Sequence, residues 1–272
     1  MYEAYWNLKE MPFENTSDLR FLYRSSQHEE ALARMFYTIQ YKKGGGVLTG
    51  VFGCGKTVVA QAILNELGSE KYRYAYISNP LFAVDELLRS IVRRLKSVNL
   101  PEKRTEFSVD YFLEILEKIL IDYSREGKEI VIIIDEAHII EDVKVFEELR
   151  LLLNLQSQNK FLLTLLLFGQ PELLSKVKDY QPLEQRIAIK SHLEPLSYTD
   201  THQYIIHRLS VAGRTTPIYS EEAIQMIYDH SGGIPRRINR LCDICLLAGF
   251  VKKAGMIEPA IVEEEIKSLS AQ

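Results

Sequence analysis

The chain has 272 residues, of which 46% are hydrophobic and 26% charged, and its formal net charge is −4. This composition is typical of a globular protein, and the acidic balance excludes a protein that coats nucleic acid over its whole surface, although a local basic site is compatible with it. Three cysteines do not form a disulfide framework, and no signal peptide or membrane-length apolar run is present, so we expect a cytoplasmic protein without a transmembrane segment.

The N-terminal residues 1–24 are rich in aromatic side chains, but proline and polar residues interrupt them and disfavour regular structure. We interpret this segment as an arm that packs over the core. The alternative is a wall against which an adenine stacks, and Leu22 and Tyr23 are the candidates for that contact. A helix over 26–41 follows, because its apolar residues recur at helical spacing.

The stretch 46–60 contains a short apolar run, a glycine-rich loop, a Lys-Thr pair and then apolar residues at helical spacing. From Gly50 to Thr57 it has the pattern G-x-x-x-x-G-K-T, which is that of a phosphate-binding P-loop between a strand and a helix. An ordinary glycine-rich turn is the alternative, and the Lys-Thr pair favours the P-loop. Lys56 can reach the β- and γ-phosphates, and the Thr57 hydroxyl can ligate Mg²⁺. The candidate nucleotide-binding residues of the loop are Gly50, Gly53, Cys54, Gly55, Lys56, Thr57 and Val58.

The segments after this loop alternate between helix and strand patterns. The helix that starts in the loop is predicted to end at Gly68, and an alternating β-branched and aromatic pattern predicts a strand over 72–77. Helical spacing of apolar residues predicts helices over 81–96 and 109–123, with a polar loop at 99–106 between them. Such alternation is typical of an α/β fold with a parallel sheet.

Residues 129–134 predict a strand buried on both faces, because five consecutive apolar residues of it are β-branched. Asp135 and Glu136 follow at its carboxyl end, where open α/β sheets bind ligands. Asp135 is placed to hold Mg²⁺, and Glu136 is placed to activate the water that attacks the γ-phosphate. The alternative is an acidic pair that only caps the next segment.

A helix over 143–155 and another buried strand over 160–168 come next. Gln170 follows that strand at the same edge of the sheet as the acidic pair, so its amide can touch the γ-phosphate or the attacking water. A Gly-Gln-Pro turn that merely starts the helix at 172–177 explains Gln170 equally well, and both interpretations stay open. A last strand is predicted over 187–192.

Strand signals stop after residue 194, so we divide the chain into a core domain with its N-terminal arm, 1–194, and a helical domain, 195–272. The helices of the second part are predicted over 199–211, 220–230, 235–251 and 258–269. Arg236, Arg237 and Arg240 lie in the first turns of the third of these helices, where positive charge is unfavourable. A bound triphosphate would compensate for that charge.

Together these segments resemble the AAA+ ATPases, and more narrowly those of the general secretion pathway protein A (ExeA) type. The resemblance covers nearly the whole chain and implies an α/β fold, a three-layer P-loop sandwich with a parallel central sheet followed by a small all-helical lid. The motifs that carry it lie at 12–13, 20–23, 50–57, 133–137, 169–173, 183–187 and 231–239.

The resemblance implies roles that the spacing alone does not give. Gln170 matches the position called sensor 1, Arg186 the arginine finger that reaches into a neighbouring subunit's site, and Arg236 the position called sensor 2, with Arg237 as a second choice. An arginine finger that acts between subunits implies a homo-oligomer, most simply a closed ring such as a hexamer. The alternatives are that Arg186 pairs with a nearby acid, Glu184 or Asp179, and that Arg236 pairs with a surface acid.

We therefore expect a Mg²⁺-dependent ATP hydrolase in which Glu136 is the base, Thr57 and Asp135 hold the metal, and Lys56, Arg186 and Gln170 act on the phosphates. The resemblance to the ExeA type implies that this chain powers or gates the assembly of a cell-envelope secretion, pilus or export machine. Proteins of this type usually continue into a membrane span and a peptidoglycan-binding part. The sequence ends at Gln272, where that span would begin, so membrane anchoring and wall binding stay open.

Two other functions remain as alternatives. The first is an ATP-dependent transposition regulator that forms a ring or filament on duplex DNA and recruits a transposase, with Arg93, Arg94, Lys96 or Lys103 and Arg104 facing the phosphate backbone. The second is a nucleotide-gated binding module with negligible turnover. ATP-dependent binding of duplex DNA would distinguish the first, and a negligible steady-state rate in the oligomer would distinguish the second.

Overall fold

The structure is a computed structural model that describes residues 1–81, 83–96, 109–157 and 160–270 of the chain. The described helices are α1 (Tyr2–Tyr5), α2 (Ser26–Gln40), α3 (Lys56–Glu66), α4 (Val84–Leu95), α5 (Val109–Arg125), α6 (Val143–Leu152), α7 (Glu172–Asp179), α8 (Gln181–Glu184), α9 (Tyr198–Val211), α10 (Glu221–Ser231), α11 (Pro235–Val251) and α12 (Pro259–Ser270). The described strands are β1 (Gly45–Gly50), β2 (Tyr72–Ile77), β3 (Glu129–Ile134), β4 (Gln156–Ser157), β5 (Lys160–Phe161), β6 (Leu163–Gly169) and β7 (Ile187–Leu193).

These elements form two compact units. The sheet unit consists of His28–Gly50 and Val59–Leu193, and the helical unit consists of Met1–Gln27, Val51–Val58 and Glu194–Gln272. The helical unit therefore draws on three separate parts of the chain.

The sheet unit is built on five parallel strands in the order β2-β3-β6-β1-β7. Every residue of β1 and β6 is buried, and successive side chains point to opposite faces of a sheet, so both faces are covered. The β-branched run of β3 fits this environment for the same reason. The parallel sheet with its helices, and the helical region after it, confirm the predicted fold class.

The register of the three central strands determines where each strand ends relative to its neighbours. Ile134 of β3 and Val47 of β1 both pair with Leu167 of β6. Because the three strands are parallel, their carboxyl ends meet at one edge of the sheet. The residues that follow each strand are therefore brought to that same edge.

The helices of the sheet unit differ from the predicted ones mainly at their ends. Helix α4 begins at Val84 and not at 81, because Pro80 and the extended backbone of Ala83 precede it, and Leu81 stays 68% exposed. Helix α6 ends at Leu152 and not at 155, since β4 then pairs antiparallel with β5. The predicted strand over 160–168 divides into β5 and β6, and the predicted loop at 99–106 lies outside the described residues.

In the helical unit, residues 1–27 pack with the C-terminal helices around one apolar cluster that includes Trp6, Phe13 and Phe21. The Trp6 indole Nε1 donates a hydrogen bond to the Leu246 carbonyl oxygen at 2.9 Å. The expectation of no regular structure in this segment was wrong in two short places, helix α1 and a 3-10 helix at Leu19–Phe21, which the Asp18 side chain caps by accepting a hydrogen bond from the Arg20 N–H.

The four C-terminal helices confirm the predicted ones within a few residues. Ser220 caps α10 by accepting from the Ala223 N–H, and Gly232 ends that helix with a positive φ of 60°. Pro235 then starts α11. In the part of the chain that the structure describes, no helix has both the length and the apolar character needed to cross a membrane.

Candidate active site

The P-loop connects β1 to α3 through a turn that requires glycine. Gly53 and Gly55 have φ values of +89° and +99°, a conformation that residues with a side chain rarely adopt. A Cβ atom on Gly53 would also lie 2.8 Å from the Arg236 Cβ atom. At Gly53 the absent side chain thus lets Arg236 pack against the loop, and successive backbone N–H groups in such a turn are of the kind that bind a phosphate.

Lys56 begins α3 and is 5% exposed, with its ammonium Nζ donating to the Val51 carbonyl oxygen at 3.1 Å. The positive charge of Lys56 therefore lies next to the P-loop, where it is predicted to bind phosphate. Thr57 and Val58 are half-buried in the same turn of the helix. Cys54 is 1% exposed, its backbone N–H donates to the Val51 carbonyl oxygen, and burial raises the pKa of its thiol.

Asp135, 2% exposed, comes directly after β3 and has well-defined neutral donors around its carboxylate. Its Oδ1 accepts from the Glu136 N–H at 2.9 Å, and its Oδ2 accepts from the Tyr76 hydroxyl at 3.0 Å. Burial, together with the Asp135 charge, raises the pKa of Tyr76 well above its ordinary value, so Tyr76 stays a neutral donor. Carboxylate oxygens are of the kind that Mg²⁺ prefers.

Glu136 adopts the left-handed conformation, with φ 53° and ψ 31°. For a residue with a side chain this costs about 1–2 kcal/mol. The turn directs the chain from β3 into a short 3-10 helix, Ala137–Ile139. It leaves the Glu136 Oε2 atom 3.3 Å from Nδ1 of His138.

Gln170 directly follows β6 and forms both a turn and a side-chain contact. Its carbonyl oxygen accepts from the Leu173 N–H at the start of α7, which is the turn interpretation. Its side chain lies at the sheet edge with the amide Nε2 at 2.9 Å from Nε2 of His138. Contact with a γ-phosphate stays a prediction.

Arg186 lies between α8 and β7 and is half-buried. Its carbonyl oxygen accepts from the Gly45 N–H at 3.0 Å. The acid suggested as an alternative partner, Glu184, instead pairs with Lys190 Nζ at 2.5 Å. Within the described residues neither Glu184 nor Asp179 forms an ion pair with Arg186.

Arg236 lies at the start of α11, beside part of the P-loop that belongs to the same unit. Its guanidinium stacks over the Phe52 ring, 4.7 Å from the ring centroid, and its backbone N–H donates to the Gly53 carbonyl oxygen at 3.4 Å. Arg237 is exposed and has no such contact in the described part of the chain. The helical unit thus brings Arg236, and not Arg237, to the loop.

Tyr23 is half-buried in the helical unit, with its hydroxyl donating to the Asp200 Oδ1 atom at 3.1 Å and its ring edge-on to Tyr204. Leu22 is half-buried beside it. These contacts are those of a packed arm, and adenine contact by either residue stays a prediction.

Three residues at the site were missed in the sequence. Tyr76 and His138 touch the acidic pair, and Phe52 supports Arg236. The period-two pattern of β2 indicated which residues share a face with Tyr76, but not that β2 neighbours β3. His138 belongs to the run Asp135-Glu136-Ala137-His138, and that spelling was the one available signal for it.

Comparison with known proteins places this geometry in context. Residues 39–177 match the family model of the AAA domain. The chain is 38% identical over 263 residues to general secretion pathway protein A of Aeromonas hydrophila, an alignment that covers 93% of this chain and 45% of that protein. The chain therefore spans less than half the length of this relative.

Similar solved structures include the ORC2 protein of Aeropyrum pernix in ADPNP-ADP complexes, with a TM-score of 0.68 and 18% identity over 95% of this chain and 71% of that one. The Drosophila ORC structure bound to DNA has a TM-score of 0.70 and 15% identity over 97% of this chain and 67% of that one. At such identities the likeness shows the fold alone.

Proposed function

Because this chain belongs to the AAA domain family of ATPases and is related to general secretion pathway protein A, we propose that it binds ATP with Mg²⁺ and hydrolyses it to ADP and phosphate. We further propose that it does so in the cytoplasm as a ring-shaped homo-oligomer. The energy released would rearrange subunits and power or gate the assembly of a cell-envelope secretion, pilus or export machine.

One observation carries the proposal of hydrolysis. In the sheet unit, three neighbouring parallel strands end at one edge with the groups that phosphoryl transfer requires. β1 ends at Gly50, the first residue of the P-loop; β3 is followed by Asp135 and Glu136; and β6 is followed by Gln170. An acidic pair that only caps a turn would not need this convergence.

Each residue then has a chemical task. Lys56 and the loop N–H groups would offset phosphate charge, and Thr57 and Asp135 would hold Mg²⁺, which when bound neutralises charge on the phosphates. The water oxygen bonds to the γ-phosphorus while its proton passes to the Glu136 carboxylate. The bond from that phosphorus to the β–γ bridging oxygen breaks, which releases ADP.

Two arginines would complete the site. Arg236, stacked on Phe52, would stabilise negative charge on the γ-phosphate within one chain. Arg186, whose guanidinium has no acidic partner in the described residues, would do the same for a neighbouring subunit. A site shared in this way requires an oligomer.

Hydrolysis is tested by two variants with matched controls. Lys56→Ala should abolish ATP binding, whereas Glu136→Gln should keep ATP binding and lose turnover by at least about 100-fold, as expected for loss of a general base. Lys144→Ala and Glu141→Gln change exposed residues of the same types and should behave as wild type. Normal hydrolysis by Glu136→Gln would disprove the assignment of the base, and a wild-type chain without turnover would favour a nucleotide-gated binding module.

The cellular role needs a test in the source organism. We expect cells that carry Glu136→Gln in place of the wild-type residue to lose surface display or export of the machine's product, while Glu141→Gln cells keep it. Normal export in the Glu136→Gln cells would rule out a role for hydrolysis in envelope assembly.

A second candidate function is that of a DNA-bound transposition regulator that recruits a transposase. The observation in its favour is an exposed cluster of cations at the end of α4, formed by Arg93, Arg94 and Lys96. Lys103 and Arg104 of the same hypothesis lie outside the described residues. ATP-dependent binding to a duplex, weakening steeply as salt increases and losing about one unit of salt slope with Arg93→Ala, would support this function. Binding that is absent with and without ATP would contradict it.

A further inference from the structure

His138 lies between the two polar residues that end neighbouring strands. Its Nε2 atom is 2.9 Å from the Gln170 amide Nε2, and its Nδ1 atom is 3.3 Å from the Glu136 Oε2 atom. The imidazole is 15% exposed, so it lies mostly away from solvent. One ring therefore lies between Gln170, which directly follows β6, and Glu136, the second residue after β3.

The contact with Gln170 is a hydrogen bond in one tautomer of the ring. The amide nitrogen of Gln170 can only donate, so His138 Nε2 accepts in that tautomer, and the proton of the neutral ring is then on Nδ1. In the described part of the chain, Glu136 Oε2 and His138 Nδ1 are both shielded from solvent and neither forms a hydrogen bond, so their 3.3 Å approach is a charge contact without hydrogen-bond geometry. Buried polar atoms that lack a hydrogen bond are rare in proteins and call for a functional explanation.

The backbone under His138 is held independently of any nucleotide. The Lys176 ammonium of α7 donates to the carbonyl oxygens of His138 at 2.6 Å and of Ile140 at 2.8 Å. Gly169 allows β6 to approach closely, because a Cβ atom there would lie 3.0 Å from the His138 nitrogen. Two neighbouring elements thus set the position of the ring.

We propose that His138 is a positioning residue that aligns the base Glu136 with Gln170 for attack on the γ-phosphate, an inference that rests on the proposed ATP hydrolysis. By engaging Glu136 Oε2, the imidazole leaves Oε1 to accept the proton of the attacking water. By accepting one N–H of the Gln170 amide, it orients the second N–H of that group toward the edge of the sheet. In this role His138 acts through Glu136 and Gln170 and not on the phosphate itself.

The test is steady-state ATP hydrolysis by His138→Ala, with ATP binding measured separately. We expect kcat to fall by about 10- to 100-fold, since the contact with the charged Glu136 and the contact with Gln170 are lost together, while KM and the Kd for ATP stay within about threefold. His230→Ala, which changes an exposed histidine of α10, should leave both parameters unchanged. A kcat within about twofold of wild type in folded His138→Ala would overturn the proposal, as would a loss confined to ATP binding.

Two conservative variants separate the two contacts and also serve if His138→Ala does not fold. An Asn amide nitrogen can replace Nδ1, so His138→Asn should keep the Glu136 contact. A Gln amide oxygen can replace Nε2, so His138→Gln should keep the Gln170 contact. Each should recover part of the lost kcat, and failure of both to exceed His138→Ala would overturn the positioning role.

A double-variant comparison tests the connection itself. If His138 acts through Gln170, then Gln170→Ala should lower kcat in the wild-type background and change it by less in the His138→Ala background. Equal effects in both backgrounds would overturn the coupling. Failure of the proposed function is distinct, because then Glu136→Gln would hydrolyse ATP normally or the wild-type chain would have no turnover.

Discussion

Among single residues, the proposed base has the least ordinary backbone. The described residues include four non-glycine positions with positive φ, and three of them, Asn7, Lys42 and Lys253, come shortly after the end of a helix, where such a turn is common. Glu136 instead comes between a buried strand and a 3-10 helix. Strained backbone of this kind persists where the surroundings hold it, and it is enriched at functional sites.

Tyr76 gives a prediction about metal binding. Tyr76→Phe removes the hydroxyl that donates to Asp135 Oδ2 at 3.0 Å, so the carboxylate loses one of the groups that orient it. We expect the Mg²⁺ concentration for half-maximal hydrolysis to rise about 10-fold or more, as for other outer-shell partners of metal ligands. Tyr74→Phe on the same strand is the control. Tyr74 is 43% exposed, so this variant should leave the Mg²⁺ concentration for half-maximal hydrolysis unchanged. Equal Mg²⁺ dependence in the two variants would contradict the role of Tyr76.

Arg236 and Arg237 are adjacent, yet the structure distinguishes them. Arg236→Ala should lower kcat by about 10-fold or more, since its guanidinium is stacked on Phe52 beside the P-loop. Both arginines are exposed, but Arg237 lacks that contact, so Arg237→Ala should remain within about twofold of wild type. Steady-state kinetics of the two variants decide the matter, and a reversed order would assign the phosphate contact to Arg237.

The sequence predicted those site residues that depend on local pattern. The P-loop and the acidic pair after a buried strand are readable because their spacing along the chain is itself the signal. Tyr76, His138 and Phe52 could not be found in that way. Their roles depend on which strands are neighbours in the sheet. They also depend on the orientation of side chains that contact residues distant from them in the sequence.

At the level of secondary-structure elements, the strands were predicted from their β-branched runs, but their order was not. β1 pairs with β6 and β7, which come more than a hundred residues later in the chain. Such pairing is decided by packing of whole elements and leaves no mark in the spacing of one segment. The start of α4 and the end of α6 differ from the predicted positions, because a proline precedes α4 and a short strand follows α6.

Helix α1 and the segment after it give a prediction about stability. Trp6 is 3% exposed, and its ring occupies space that Gly249 of α11 leaves free. Trp6→Ala should therefore lower the free energy of unfolding by about 3–5 kcal/mol. Urea unfolding followed by far-UV circular dichroism measures this effect. Leu81→Ala, at a position that is 68% exposed, should change it by less than about 0.5 kcal/mol, and similar losses in both variants would contradict the buried role of Trp6.

At the level of the whole molecule, the arrangement of arginines predicts sites shared between subunits. Arg236 contacts the P-loop segment of its own chain, whereas Arg186 finds no acidic partner within the described residues. If Arg186 serves the neighbouring subunit, each active site needs residues from two chains. That requirement can be tested without knowing the number of subunits.

The test is a mixing experiment. Lys56→Ala and Arg186→Ala should each be inactive alone, because every site then lacks one essential group. An equal mixture that exchanges subunits should recover about a quarter of wild-type hydrolysis, since one subunit pair in four unites an intact Lys56 with an intact Arg186. When the ratio of the two variants is varied, the rate of hydrolysis should be highest near an equal mixture. No recovery, despite proven subunit exchange, would show that Arg186 acts within its own chain.

The three-part composition of the helical unit has a consequence for how the protein is made. The Tyr2 hydroxyl donates to Asp243 and the Trp6 indole to Leu246, partners separated by 241 and 240 residues. Synthesis of the sheet unit is complete at Leu193, before Asp243 and Leu246 have been added to the chain. The N-terminal segment therefore cannot pack into the helical unit until the last helices have been synthesised. Because Arg236 is also synthesised late, a nascent chain cannot complete its arginine contact to the P-loop until translation is nearly finished.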